Sequence, residues 1–597
     1  MNHLQNLSVL ILGLGDSGLA MARWCVRHGA ARVRVWDSRA QPPQLAALVA
    51  DVPSAEFFSG ALAEQQLEDA RLVLKSPGLS PLDEKVRPLL EAAQAVDIRV
   101  AGELDLFARA LADLKQQRRY APKVLAITGT NGKTTTTALT AMLVERAGRR
   151  VTMAGNIGPT MLDTLAAALD LEPAPQESAL EADEVSASAQ LPSAPIEQLD
   201  PQDETLDETP ALMVLDGANV QEVSAASEHN LSGEAVSSLE DDAPLVLAPP
   251  PEQAQVFEHL PQVWVLELSS FQLDGVQGFE PDAATVLNVT QDHLDWHGTM
   301  ASYAEAKSRI FGQAALMVIN RDDASVQAMV PPPVMVKGGR GRPTKAVTRP
   351  LMRFGLDAPQ HGGDYGLITE GGMAWLVRAM PVDETIKRRK GEEEEILLQR
   401  LMPADALRVR GRHNAANALA ALALATAIGC PLAPMLHGLR EYRGEPHRVE
   451  LLGQVGGVEA FDDSKGTNVG ATVAALQGLG ADKLTSKLVV ILGGDGKGQD
   501  FGPLAAPVAR YARAVATLGK DAESIEQALA QTSVPLQRHA DLPSAVRWAF
   551  EQAQAGDAVL LSPACASLDM FRNYAHRAEV FVAAVKALAE ERGEMMS

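Results

Sequence analysis

The sequence predicts an α/β protein built from three successive domains, and three observations carry that prediction. Apolar, strand-like runs alternate with helix-patterned stretches along most of the chain. Two of those strands end in glycine-rich turns that open directly into a helix. The 597 residues also exceed what one hydrophobic core organises, given roughly 100–200 residues per domain.

The first domain, residues 1–111, opens with the apolar strand LSVLILGLG, a turn at Gly15 to Gly18, a helix from about Leu19 to His28, and a second strand ending in Asp37. Gly13, Gly15 and Gly18 match G-x-G-x-x-G, and Asp37 stands close to the spacing at which an acid meets a ribose hydroxyl. A further apolar strand, Ala70 to Lys75, runs into the turn Ser76 to Gly78, at the carboxyl end where open α/β sheets bind ligands. Taken alone, this pattern fits a Rossmann-like nucleotide-binding unit.

The second domain, residues 112–445, carries the most specific signal in the chain. Gly129 to Thr135 read GTNGKTT, after the strand Val124 to Thr128 and before a helical stretch from Thr136 to Glu145. Glycines let backbone N–H groups approach an anion, and the helix N-terminus adds partial positive charge. Lys133 reaches terminal phosphates and the Thr134 hydroxyl suits Mg²⁺, as in a P-loop ATPase-like domain. The loop is shorter than G-x-x-x-x-G-K-[ST], since Gly129 precedes Gly132 by only three residues. Further strands are expected at Trp264 to Leu268, Ala283 to Asn288 and Ala315 to Asn320. Glu267, at the end of the first of these, offers a carboxylate for Mg²⁺ beside the phosphates. The stretch NVTQDHLDWHG brings Asp292, His293, Asp295 and His297 together just after a strand, which marks a candidate functional turn.

This domain is interrupted at about 171–258. Between Leu171 and Leu260 there are 20 acidic residues and no Lys or Arg; setting them aside takes the net charge of −23 to −3. Such a segment, rich in Glu, Asp, Pro and Ser, buries too little apolar surface to offset ordering entropy and is read as a disordered insertion. The near-neutral remainder lacks the clustered Lys and Arg that nucleic-acid binding requires. The charged stretch Lys387 to Glu395 reads as an exposed hairpin or loop. The third domain, residues 446–597, alternates strands and helices again, most clearly with strands at Val489 to Leu492, Ala514 to Leu518 and Ala558 to Leu561.

Cys25, Cys430 and Cys565 lie far apart, which fits a reducing compartment and excludes a cysteine-built metal site. The chain has no apolar run of about 18 residues and no secretory leader pattern, so no membrane insertion is expected and the location is cytoplasmic.

Ten ordered segments, LAITGTNGKTTTT, GNIG, VLELSSFQL, LNVTQDHLDWHG, YAEAKSRIF, GRHNAANALAAL, HRVE, DDSKGTN, LGGDGKG and LSPACASLDMF, resemble the Mur ligases of peptidoglycan synthesis. The resemblance spans all three domains and lapses only across the acidic insertion, which typical members lack. It implies an N-terminal Rossmann-like UDP-binding domain, a central ATP-binding ligase domain and a C-terminal Rossmann-like domain. It also implies an ATP-dependent amide ligase acting through an acyl phosphate. The DDSKGTN and SPACASLD motifs are those of members adding D-glutamate to UDP-N-acetylmuramoyl-L-alanine.

By the same resemblance, Gly129, Thr130, Asn131, Gly132, Lys133, Thr134 and Thr135 hold the ATP phosphates, with Asn414, Asn417, Arg448, Asp463 and Lys465 completing the nucleotide site. Thr134 and Glu267 bind one Mg²⁺, and a second is held by His293 with a carbamylated Lys307; Lys133, His293 and Lys307 are the implied catalytic residues. The UDP-sugar falls to Gly15, Ser17, Asp37, Ser38, Arg39, Ser76, Gly78 and Asn156. D-glutamate falls to Thr467, Lys497, Ser567 and Tyr574, the last standing where the family has Phe. A monomer is expected. A sister ligase adding another amino acid, an NAD-dependent oxidoreductase and a nucleotide-gated scaffold remain as alternatives.

Overall fold

The computed structural model describes residues 2–173, 256–336, 344–382, 395–482 and 486–594. Most of the acidic insertion and residues 387–394 of the charged stretch lie outside these ranges.

The first sheet comprises β1 (Ser8–Leu12), β2 (Arg32–Asp37), β3 (Glu56–Ser59), β4 (Leu72–Lys75) and β5 (Arg99–Ala101), in the order β3-β2-β1-β4-β5. All pairs are parallel. Strand order reverses between β1 and β4, so a crevice opens between their carboxyl ends. The glycine turn and the Ser76 loop meet there, with Ser76 Oγ donating to the Gly13 carbonyl at 2.8 Å. Gly13 has φ +90°, and a Cβ on Gly18 would overlap the Gly13 carbonyl oxygen. The tight turn therefore requires glycine at both positions.

The helix Glu103–Arg118 carries the chain into the second sheet, and the division at 111/112 falls inside it. Its Phe107 meets Trp264 edge-on at 5.0 Å, and one buried cluster runs from Val9 and Trp24 through Phe107 to Trp264 and Leu266. The first two domains thus share a continuous apolar core.

The second sheet uses β6 (Lys123–Thr128), β7 (Val151–Gly155), β8 (Val263–Glu267), β9 (Ala283–Val286) and β10 (Leu316–Asn320). A hairpin of β11 (Val334–Val336) and β12 (Lys345–Val347) precedes the edge strand β13 (Leu351–Phe354). The order β13-β10-β9-β6-β8-β7 makes β6 central, so the phosphate loop at its end is flanked by the ends of β8 and β9. Near-continuous burial along these strands accords with a parallel sheet covered on both faces.

An antiparallel sheet of β14 (Tyr365–Glu370), β15 (Met373–Pro381) and β16 (Ile396–Pro403) was not anticipated from the sequence. It packs through Tyr365, Leu367 and Leu376 into the cluster containing the buried helix Arg412–Ala427. Where the insertion leaves and rejoins the domain, the Glu172 carboxylate accepts the N–H groups of Glu258, His259 and Leu260 at 2.7–2.9 Å.

The third sheet consists of β17 (Glu450–Val455), β18 (Val458–Asp462), β19 (Leu488–Gly493), β20 (Ala512–Leu518), β21 (Leu536–Arg538) and β22 (Ala558–Leu561), ordered β17-β18-β22-β19-β20-β21. Only β17 is antiparallel. Its two faces bury clusters of their own. Among the described residues no helix is long and apolar enough to cross a membrane.

The glycine turn yields a paired prediction. Gly18→Ala should lower the unfolding midpoint, at a cost of about 2 kcal/mol or more, because backbone must move to admit a methyl group. Gly15→Ala, with nothing within 4 Å of its Cβ position, should leave thermal denaturation nearly unchanged.

Candidate functional site

The phosphate loop departs from β6 and closes at Gly132, whose φ of +83° starts the helix Lys133–Arg146. A Cβ there would lie 2.6 Å from Asn417 Oδ1, so the start of the helix Arg412–Ala427 presses directly on the loop. The loop is braced from β9 as well: Asn131 N donates to Asn288 Oδ1 at 2.8 Å, and Asn288 Nδ2 donates to Asn131 O at 3.0 Å. The Thr130 hydroxyl pairs with Tyr303 at 3.1 Å.

Two lysines converge on this loop. Lys133 Nζ donates to the Gly129 and Thr130 carbonyls, both at 2.8 Å. Lys307, 1% exposed, donates to the same Gly129 carbonyl at 3.0 Å and lies 4.5 Å from the Tyr303 ring centroid. Burial and the neighbouring Lys133 charge hold the Lys307 amine well below the usual lysine range. Burial also lowers Lys133, against the raising influence of Glu267.

Glu267, 2% exposed at the end of β8, accepts from Asn156 Nδ2 at 2.7 Å through Oε1. Its Oε2 is buried without a hydrogen-bond partner. A buried, half-satisfied carboxylate beside a phosphate loop fits a hard cation such as Mg²⁺, which takes one or two carboxylates plus phosphate oxygens. The Thr134 hydroxyl accepts from Arg448 at 2.6 Å, so that cation and Arg448 are alternative partners for one oxygen.

The turn after β9 sorts the acidic and histidine cluster. Asp292 is buried and faces His293, with 3.5 Å between Oδ2 and Nε2. Asp295 points outward. His297 is buried with Nε2 2.9 Å from Ser270 Oγ, and burial pushes it down to about 4, so it is a neutral packing residue. His293 has φ +54° and packs edge-on against Phe271 at 4.7 Å. Burial, with Lys497, Lys133 and Lys307 nearby, lowers its pKa and favours the neutral, ligating imidazole.

The other expected residues fall into three groups. In the nucleotide group, a cleft of about 740 Å³ is lined by Asn414, Arg448, Arg408 and Phe461, and a small adjoining cavity touches Asn131, Gly132, Thr135, Asn417 and Asp463. Asp463 accepts from Ser562 Oγ at 2.7 Å, and burial pushes it up to about 7. Lys465 lies 5.2 Å from the Tyr574 ring centroid.

Ser17 and Asn156 line a cavity of about 520 Å³ between the first and second domains, together with Pro77 and Gln272. Gly15, Asp37, Ser38, Arg39, Ser76 and Gly78 stand around the crevice but do not line that cavity. The Asp37 carboxylate is held by Arg39 through two contacts of 2.9 Å and by Leu14 N–H, which lowers it to about 2.

Thr467, Lys497 and Ser567 follow β18, β19 and β22, three neighbouring parallel strands. Backbone bonds tie these turns together: Ala564 N to Gly466 O, and a mutual pair between Asp495 and Ala566. Tyr574 opens the last helix nearby.

Sequence reasoning passed over Asn288, Tyr303 and Asn468, all of which touch the loop. All three sit inside the ten ordered segments, and for Asn288 and Asn468 a polar residue in a turn after a strand was the available signal.

A P-loop beside a half-satisfied carboxylate and a buried histidine, set among three α/β domains, defines a nucleotide-binding enzyme class. The sequence matches three family profiles: Mur ligase MurD-like, N-terminal domain, at residues 7–102; Mur ligase middle domain, at 249–334; and Mur ligase, glutamate ligase domain, at 447–565. It is 53% identical to the UDP-N-acetylmuramoylalanine–D-glutamate ligase of Albidiferax ferrireducens, covering 99% of this chain and 98% of that one. Relatives of the same name from Burkholderia pseudomallei and a Polaromonas species are 51% and 46% identical, covering 99% and 100% of this chain and 98% and 100% of theirs. The chain belongs to the Mur ligase family.

The Asp463 environment yields a pH prediction. Its folded pKa of about 7 lies above the ordinary 3.8, so the folded state holds the extra proton between those values and stability falls as pH rises through that window. Asp463→Asn removes this dependence. Relative to wild type, the variant's unfolding midpoint in nucleotide-free protein should rise between pH 5.5 and 8.5, by roughly 2 kcal/mol in stability.

Proposed function

We propose that this chain is an ATP-dependent, ADP-forming ligase that joins D-glutamate to the L-alanine carboxylate of UDP-N-acetylmuramoyl-L-alanine in peptidoglycan precursor synthesis. The observation that carries this reading is the 53% identity, over 99% of the chain, with a ligase of that name, together with the phosphate loop, Glu267 and Lys307 gathered at one point. A carboxylate is a poor electrophile. Transfer of the γ-phosphoryl group to its oxygen, with ADP leaving, makes an acyl phosphate; attack by the neutral amine of D-glutamate then forms the amide and expels phosphate.

The chain's residues divide this work. Lys133 and the loop N–H groups hold the terminal phosphates, while Asn414 and Asn417 offer adenine both donors and acceptors. Ser17 and Asn156 bind the sugar nucleotide from the cavity between the first two domains. Lys497, with Thr467, Ser567 and Tyr574, binds and orients D-glutamate, its cation meeting a carboxylate. Mg²⁺ held by Glu267 and Thr134, and a second ion held by His293 and modified Lys307, would neutralise charge on the transferring phosphoryl group. Lys307 suits carbamylation because burial and the neighbouring Lys133 charge favour its neutral amine, the form that combines with CO₂. Holding amine against acyl phosphate away from bulk water favours aminolysis over hydrolysis. One chain supplies every group, consistent with a monomer, and ATP and UDP-sugar substrates belong to the cytoplasm.

The test is phosphate release from ATP with UDP-N-acetylmuramoyl-L-alanine and a panel of amino acids. Release should require D-glutamate; release with a diamino acid instead would favour a sister ligase. Lys133→Ala should lower turnover by about a thousandfold or more, and full activity in that variant would reject the mechanism. Independently, protein equilibrated with ¹³C-bicarbonate should give a carbamate carbon resonance that Lys307→Ala abolishes. Its persistence in that variant would assign the modification elsewhere.

A further inference from the structure

The third domain has its own apolar cores and reaches the second domain's reactive centre with polar side chains. One is Arg448 on Thr134. Another is Asn468, which is 5% exposed and stands immediately before the helix Val469–Asp482. Its Oδ1 accepts from Ala471 N at 2.9 Å, which fixes the orientation of the amide and aims both N–H groups at the second domain. Nδ2 donates to Asn131 Oδ1 at 3.0 Å and to Asp292 Oδ2 at 3.2 Å.

These partners sit at two separate parts of the reactive centre. Asn131 is the tip of the phosphate loop, itself clamped by Asn288. Asp292 faces His293 through the same Oδ2 and caps its backbone N–H through Oδ1 at 2.9 Å. The fit around the bridge is close: a Cβ on the neighbouring Gly470 would lie 3.0 Å from Thr290 Oγ1 and 3.1 Å from Asn131 Nδ2. On the other side, Val469 N donates to Gln499 Oε1 at 3.0 Å, joining the bridge to the turn that carries Lys497.

We propose that Asn468 is a positioning residue that fixes the phosphate loop and the His293 turn relative to one another when the third domain is seated. The proposal rests on the ligase reading given above and names the side chain by which the amino-acid-binding domain acts on the phosphoryl-transfer centre. Two donors and one acceptor are all used. Alanine would free the loop tip from the Asp292 carboxylate, and aspartate would set two carboxylates face to face.

The experiment compares Asn468→Ala and Asn468→Asp with wild type in the full chain. Turnover, kcat, should fall about tenfold in the alanine variant and about a hundredfold or more in the aspartate variant, with KM for all three substrates within about threefold. Hydrogen exchange, in the presence of UDP-N-acetylmuramoyl-L-alanine and a non-hydrolysable ATP analogue, supplies a readout independent of turnover. In Asn468→Ala it should quicken at residues 129–133 and 290–293 while residues 13–18 and 76–78 keep wild-type rates. A kcat unchanged by alanine, a rise confined to KM for D-glutamate, or faster exchange only at residues 466–472 would each overturn the proposal. Failure of the wild-type protein to make the amide would instead reject the ligase reading, with the exchange pattern still judging the bridge.

Discussion

Two lysine amines share one backbone carbonyl, that of Gly129, and the rest of the reactive centre is arranged around that constraint. Two full positive charges cannot both be comfortable on one acceptor in a buried site, so one amine must give way. Lys133 has Glu267 among its neighbours and opens toward the phosphate position; Lys307 is sealed against Tyr303 and is the one driven toward neutrality. Burial, helped by the same lysine charges, lowers His293. A site with excess cationic potential and one unpaired carboxylate oxygen suits a polyphosphate with its divalent metal.

The parallel sheets explain how residues so far apart in sequence arrive there. Each domain presents the turns proposed to bind ligands at the carboxyl ends of adjacent parallel strands: β1 and β4 in the first, β6 with β8 and β9 in the second, β18, β22 and β19 in the third. The first two domains are welded by apolar packing around Phe107 and Trp264, whereas the third meets the loop through Arg448 and Asn468. Polar contacts of this kind exchange readily with water or ligand, while an apolar core does not. Motion during turnover is therefore expected of the third domain against the other two.

Much of the site could be read from residues with local signatures. The phosphate loop, Glu267 and the strands that carry them follow from glycine spacing and apolar runs, because backbone geometry and burial are local properties. The antiparallel sheet β14 to β16 escaped notice because its inward face is defined only by packing on the helix Arg412–Ala427. Asp37 shows a different limit: its spacing suggests a ribose contact, and the hold that Arg39 and Leu14 have on its carboxylate is visible only in the structure. His297 and His293 look alike in sequence, and burial among Ser270, Phe271, Trp296 and Tyr303 makes His297 a packing residue.

The amino-acid order by itself determined three α/β units, a phosphate cradle at the end of a strand and an acidic segment that carries nearly all the net charge, since each depends on neighbours within a few residues or on composition. Only the tertiary structure decided that Lys133 and Lys307 meet on one carbonyl, that Glu267 keeps an oxygen without a partner, and that Asn468 bridges the loop to Asp292. Those relations span tens to hundreds of residues. They arise when separate sheets bring their strand ends together, and the resulting desolvation and charge proximity leave no trace in local sequence pattern.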